Sequence, residues 1–166
     1  RGLGKTSTEG ETLNIYQYKY ERLFAYYQPL QLARRGRIGL PRSLNMYEDY
    51  PFWFTFLTKL GYEVVLSGKS SAALYYKGMA TVPSDSLCYP AKLVHGHIMD
   101  LVEKGLKKIF YPCIPYNIAD DFNRSDNHYN CPVVASYAEN IRANMDVLRQ
   151  QEIQFMQPFL PLNNKK

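Results

Sequence analysis

The chain has 166 residues, 46% hydrophobic and 21% charged, a size and balance that suit one folded domain and exclude a disordered segment or a second full domain. Twenty Lys and Arg against fifteen Asp and Glu leave a formal charge of +5, too mild and dispersed to require nucleic acid. Aromatic residues are abundant, 15 Tyr, 8 Phe and 1 Trp, which fits many half-buried surfaces with one wet edge, and the longest uncharged runs fall far short of the roughly 20 residues that span a bilayer.

Residues 1–13 are rich in Gly, Thr and Ser with little apolar content, which predicts a flexible linker. From Asn14 to Gln28 the residues Tyr16, Tyr20, Leu23, Phe24 and Tyr27 recur mostly three or four apart, predicting a helix that Pro29 closes. Arg37 to Pro41 is a short apolar run that predicts a strand. A loop and a helix follow, with Glu48, Asp49 and Pro51 at its start, Phe52, Trp53, Phe56, Leu57 and Leu60 along it, and Gly61 as its stop. Tyr62 to Ser67 is rich in β-formers between two glycines and predicts the second strand. Ser70 or Ser71 caps a helix over 72–79, and 83–90 is a loop that carries Cys88. Leu93, Val94, Ile98, Leu101 and Val102 then follow helical spacing up to Gly105. Lys107 to Pro112 predicts a third strand running into Cys113. After a polar stretch over 117–130, Pro132 to Ala135 predicts a short fourth strand and Tyr137 to Gln150 an amphipathic helix. Residues 14–160 form the one domain expected, 161–166 a polar tail, and the chain reads as a piece of a longer protein.

Strands alternating with helices predict βαβ units, an α/β fold, a parallel sheet and right-handed crossovers. Ligands bind outside the carboxyl ends of such strands. The residues placed there are 41–45, 67–71 and 113–116, and the Cys88 loop precedes a helix that starts at the same end. Cys88 and Cys113 are therefore expected to converge on one edge.

An odd number of cysteines, with no signal-like apolar region at Arg1, predicts reduced thiols in a cytoplasmic protein. Cys88 precedes a helix, whose positive end favours a thiolate. Cys113 follows a strand, and Cys131 precedes Pro132. Three loop thiols could hold an iron–sulfur cluster or zinc; against that, most unpaired cysteines are small buried apolar groups, and no Cys-x-x-Cys pair is present. In His95-Gly96-His97 the two imidazoles point about 200 degrees apart on a helix, so both do not easily grip one metal. A zinc set of Cys88, His95, Cys113 and Cys131 competes with a hydrogen-bonded structural histidine, the favoured reading. Lys92 in a first helical turn opposes the dipole, which calls for an anion or carboxylate beside it unless it is simply solvated. Phosphate-binding glycine signatures are absent, so no nucleotide site is argued. Asp85 and the Asp120-Asp121 pair show no acid/base partner.

Four runs carry a pattern, of which the three that hold cysteines are together specific: Arg37-Ile38-Gly39-Leu40-Pro41 through Trp53, Cys88-Tyr89-Pro90-Ala91-Lys92-Leu93-Val94-His95-Gly96-His97, Phe110-Tyr111-Pro112-Cys113, and Asp126-Asn127-His128-Tyr129-Asn130-Cys131-Pro132-Val133. They resemble the uncharacterised domain of large CoA-substrate-specific enzyme activase proteins, related to the activators and subunits of 2-hydroxyacyl-CoA dehydratases, over roughly residues 15 to 150. The resemblance implies a Rossmann-like three-layer domain whose cysteines hold an iron–sulfur cluster in an ATP-coupled electron-transfer system acting on CoA thioesters. It makes Cys88, Cys113 and Cys131 the candidate ligands. Lys92, His95 and Asn130 become the groups that orient or polarise the thiolates. It implies as partner an ATPase domain of the same parent chain, with self-association as an alternative and neither nucleic acid nor membrane. A non-catalytic docking module and a zinc-binding structural domain are the competing readings.

Overall fold

A computed structural model describes residues 13–25, 32–118 and 126–162; residues 1–12 of the linker predicted at 1–13, the Gln28-Pro29 helix end, the Asp120-Asp121 pair and residues 163–166 of the predicted tail lie outside them. The helix predicted from Asn14 is α1, Ile15–Leu23, capped by the Asn14 side chain, which accepts from the Gln17 amide. Strand β1 is Arg37–Leu40. The helix expected around Pro51 comes in two pieces, α2 over Asn45–Glu48 and α3 over Tyr50–Lys59. Strand β2 is Glu63–Leu66, and α4, Ala72–Gly78, is capped by Ser71 and runs on into a 3-10 turn at Met79–Thr81. Helix α5 is Tyr89–Glu103 and strand β3 is Lys108–Phe110.

Two expectations fail near the C-terminus. Pro132 to Ala135, read as a strand for its β-branched pair, is the first turn of α6, Pro132–Asn144. Cys131 is the N-cap and Pro132 sits where a helix tolerates proline, so the local punctuation outweighs the β preference of Val133 and Val134. The long helix predicted to Gln150 instead breaks at Met145 and resumes as α7, Val147–Gln150. The fourth strand is β4, Gln154–Met156, three residues too short to show a period of two.

The four strands are all parallel in the order β2-β1-β3-β4. Residues 37–40 pair with 63–66, Gly39 with Ile109, and 108–110 with 154–156. The chain moves from β1 out to β2 and returns past β1 to β3, so β1 and β3 flank the point where the connection reverses. Right-handed crossovers then put α3 on one face and α5 and α6 on the other. Helices α3 and α5 each end on a glycine with positive φ. Gly61 (φ 89°) and Gly105 (φ 74°) close the last turn by paired backbone bonds, Tyr62 to the Leu57 carbonyl and Leu106 to that of Leu101.

The core lies on both sides of the sheet, with Ile38, Leu40, Ile109 and Ile114 between Trp53, Phe54 and Leu57 of α3 and Val94, Ile98 and Leu101 of α5. Helix α5 is buried almost all round, as an element does when it has neighbours on two sides. On its inner side a Cβ at Gly39 would lie 3.1 Å from the Leu101 methyls. On its outer side α4 lies so close that a Cβ at Gly96 would stand 2.1 Å from the Leu74 carbonyl oxygen, and one at Gly78 2.3 Å from the Gly96 amide nitrogen. Gly96→Ala and Gly78→Ala each force two backbones apart and should cost ~3 kcal/mol. Gly39→Ala presses only on a rotatable leucine and should cost about 1 kcal/mol; urea unfolding of the three variants checks the order.

Candidate functional site

The carboxyl edge of the sheet gathers the residues singled out from the sequence. Helices α5 and α6 each lead into a parallel strand, so each starts at this edge, with Cys88 as the N-cap of α5 and Cys131 as the N-cap of α6. Cys113 lies beyond β3, in a parallel bridge to Phe159 and backbone-bonded to Pro158 and Leu160. All three thiols are unbridged; Cys88 and Cys131 are exposed, whereas Cys113 is 2% exposed. Burial pushes the Cys113 thiol above its ordinary value, against the lowering effect of the Glu139 and Ala138 backbone amides. Among the described residues no three His, Cys, Asp or Glu side chains come together as a group that could hold a metal.

The three residues expected to support the thiols make other bonds. Lys92 reaches back to donate to the Asp85 carbonyl at 2.7 Å, which ties down the loop before α5 and accounts for a lysine in a first turn. Asn130 donates to the Ile114 carbonyl at 2.8 Å and faces Asn117, joining the segment before α6 to the one after β3. His95 is fully buried between Thr81 Oγ1, 2.7 Å from Nδ1, and the Tyr137 hydroxyl, 2.9 Å from Nε2. Thr81 already donates to the Gly78 carbonyl. It therefore accepts from the His95 Nδ1–H, which leaves Nε2 to accept from Tyr137.

His97, also fully buried, lies between Ser67 Oγ at 2.8 Å from Nδ1 and Ser70 Oγ at 2.9 Å from Nε2. Ser67 accepts from the Arg42 amide, so its proton goes to Nδ1, and the Nε2–H of His97 is donated to Ser70. Burial holds both imidazoles down to about 4, neutral in each case. The two imidazoles flanking Gly96 thus fasten both ends of α4, one through the Ser67 to Ser70 loop before it and the other through Thr81 after it. Asp100 completes the fastening, accepting from Lys77 of α4, from Lys104 and from the Gly68 amide. Burial would raise its carboxyl, but these three donors outweigh burial and hold it near 2.

A further set of residues at this edge carries no sequence signal beyond its place after a strand. Arg42 Nε, the Ser43 hydroxyl, the Asn45 amide, Trp53 Nε1, the Tyr111 hydroxyl and the Gln157 amide are buried polar atoms without a hydrogen-bond partner among the described residues. Arg42, Tyr111 and Gln157 each lie within two residues of a strand end. Unpaired buried polar groups are costly and scarce, and here they collect where parallel sheets take ligands. Burial pushes the Tyr137 phenol up to about 12 and the Tyr111 phenol further still, so both stay protonated.

The sequence profile of a family described as a CoA enzyme activase uncharacterised domain matches residues 37–166. No curated protein and no solved structure matches the chain significantly. No helix among the described residues is long and apolar enough to cross a membrane.

The neutral imidazoles make stability depend on pH. Unfolded histidines take up a proton near 6.5, whereas His95 and His97 in the fold do so near 4. Between those values the unfolded chain binds more protons, so stability is complete above pH 6.5 and falls as the pH drops toward 4, by up to about 3 kcal/mol per histidine. Asp100 adds a loss only below its ordinary value of 3.8, as pH falls toward 2. Urea unfolding across this range should show the slope, and His97→Gln should flatten it while lowering stability at pH 7; a wild-type midpoint constant from pH 7 to 4.5 contradicts the neutral clamp.

Proposed function

The chain belongs to the family of CoA enzyme activase uncharacterised domains, and we propose that it works with an ATPase-type activase domain in ATP-coupled electron transfer toward CoA thioesters, with Cys88, Cys113 and Cys131 as ligands of an iron–sulfur cluster. The observation that carries this reading is that three cysteines from distant parts of the chain stand at the carboxyl edge of one parallel sheet, two of them as helix N-caps. The positive end of a helix lowers the cost of a thiolate. The donors therefore fit a cluster in kind. They form an open set rather than an assembled centre, since Cys113 is buried while Cys88 and Cys131 are exposed and no metal-holding group forms among the described residues. When bound, a cluster supplies a one-electron carrier whose potential follows its thiolate ligands, hydrogen bonds and burial.

The chain's own residues hold the edge in place for that role. The neutral His95 accepts from Tyr137 of α6 and donates to Thr81, which locks the starts of α5 and α6, and with them Cys88 and Cys131, into one frame. Tyr137 lies near enough to Cys88 for the thiol to contribute to raising its phenol, so the start of α5 adjoins that of α6. Asn130 and its bond to the Ile114 carbonyl do the same for the Cys113 and Cys131 segments.

A docking module without cofactor is the second reading. It is favoured by a row of exposed apolar residues along α3, with Phe52 and Phe56 stacked at 6.3 Å and Leu60 one turn on. Zinc in place of a cluster is separated from both by elemental analysis. Anaerobic reconstitution with iron and sulfide, on protein that includes the ATPase domain, should give bound iron and visible charge-transfer absorbance that Cys88→Ser, Cys113→Ser and Cys131→Ser each reduce. Absence of both signals in the wild type sinks the cluster; retained ATPase association in the triple cysteine variant, lost on Phe52→Ala with Phe56→Ala, establishes the docking module.

A further inference from the structure

We propose that the cleft between the loops after β1 and β2 is a binding site for a compact oxyanion, a carboxylate or a phosphate, and that α1, whose Tyr20 hydroxyl engages Arg42 of its lining, competes for that guanidinium as a displaceable strap. The cleft has a volume of about 270 Å³ and is lined by Arg42 and Ser43 from the first loop, Glu48 of α2, Ser70 from the second loop, and Pro90 and Leu93 from the first turns of α5. The positive end of that 15-residue helix therefore borders it.

Its donors are unspent. Ser43 is 6% exposed yet its hydroxyl has no partner among the described residues, and Arg42 Nε has none there either. Ser70 accepts the Nε2–H of His97, so its own proton remains to be given. Among the described residues the Arg42 side chain donates one hydrogen bond, from Nη1 to the Tyr20 hydroxyl of α1 at 2.8 Å. The Tyr20 ring also lies beneath Lys69, whose ammonium is 5.1 Å from its centroid. A phenol oxygen thus takes the place on the guanidinium that an oxyanion would fill with more charge and a second acceptor.

Helix α1 is held loosely enough to yield this place. It has nine residues, none of them buried. Among the described residues it is held by the Tyr20 side chain against Tyr47, Arg42 and Lys69, by its C-cap Phe24 against Tyr47, Tyr50 and Arg42, and by an exposed Lys19–Glu48 pair at 2.6 Å; exposed pairs of this kind contribute little. It also lies outside the matched family region, which starts at residue 37. The one carboxylate of the lining, Glu48, is paired with Lys19, which leaves Arg42 without a carboxylate partner among the described residues and favours an anion over a neutral polar ligand. None of the three cysteines takes part, so the site stands or falls apart from the cluster.

Calorimetric titration of the whole chain with inorganic phosphate and, separately, with acetate tests the site. Tyr20→Phe keeps the ring and removes the competing hydroxyl, and should bind the preferred anion about tenfold more tightly than the wild type. Arg42→Gln and Ser43→Ala should each weaken binding by about tenfold or more. Because Arg42 also packs on Phe24, Ser43→Ala, with an unchanged circular dichroism spectrum, carries the test if Arg42→Gln fails to fold. Phosphate bound in preference to acetate assigns a phosphate-bearing ligand, and the reverse order a carboxylate. No saturable binding of either anion to the Tyr20→Phe variant, or binding that Ser43→Ala leaves unchanged, overturns the proposal.

Discussion

The contact between Gly78 of α4 and Gly96 of α5 is the constraint from which the arrangement of this domain follows. With no Cβ on either residue the two backbones come close enough that any side chain would collide with a carbonyl or an amide. Helix α5 is then enclosed between the sheet and a second helix, which is why nearly every position from Val94 to Val102 is buried, polar ones included. A helix so enclosed can keep polar side chains only if each has a partner. His95, His97 and Asp100 meet that condition by bonding to residues just before, just after and along α4. The close approach and the bonds support one another: the bonds hold the backbones together, and the glycines let the imidazoles reach.

This arrangement separates charge by depth. The two histidines are neutral and their partners are hydroxyls, which costs little to bury. The one charged group in the clamp, Asp100, sits at its partly open end, where two lysines and an amide compensate it. Cys88 lies at the opposite end of α5, as its N-cap. The same helix thus anchors the fold at its middle and carries Cys88 to the edge at its start. An electron-transfer or docking role asks for such a rigid support beneath an open edge.

Much of the architecture was legible from the residues. Alternating strands and helices, glycine stops at Gly61 and Gly105, and prolines near helix starts all act within a few residues, and they placed β1, β2, β3, α4 and α5 close to where they stand. The failures have equally local causes. Val133 and Val134 read as strand because β preference was weighed above the cap that precedes them, and Gln154 to Met156 is too short to carry a period and earns its place by pairing with β3. For His95-Gly96-His97 helical spacing sends the two rings in different directions and suits hydrogen-bonded imidazoles, but it does not name the partners. Ser67, Ser70, Thr81 and Tyr137 are ordinary residues far away in sequence.

The amino-acid sequence by itself therefore determined the α/β class, the edge at which the three cysteines stand, and the family, because element order and spacing act along the chain. Tertiary structure decided what the middle of α5 is for, which polar groups at the edge are satisfied and which are not, and that Tyr20 of α1 engages Arg42. Those outcomes depend on which backbones approach each other closely, and that distance is set by residues brought together only when the sheet and its helices pack.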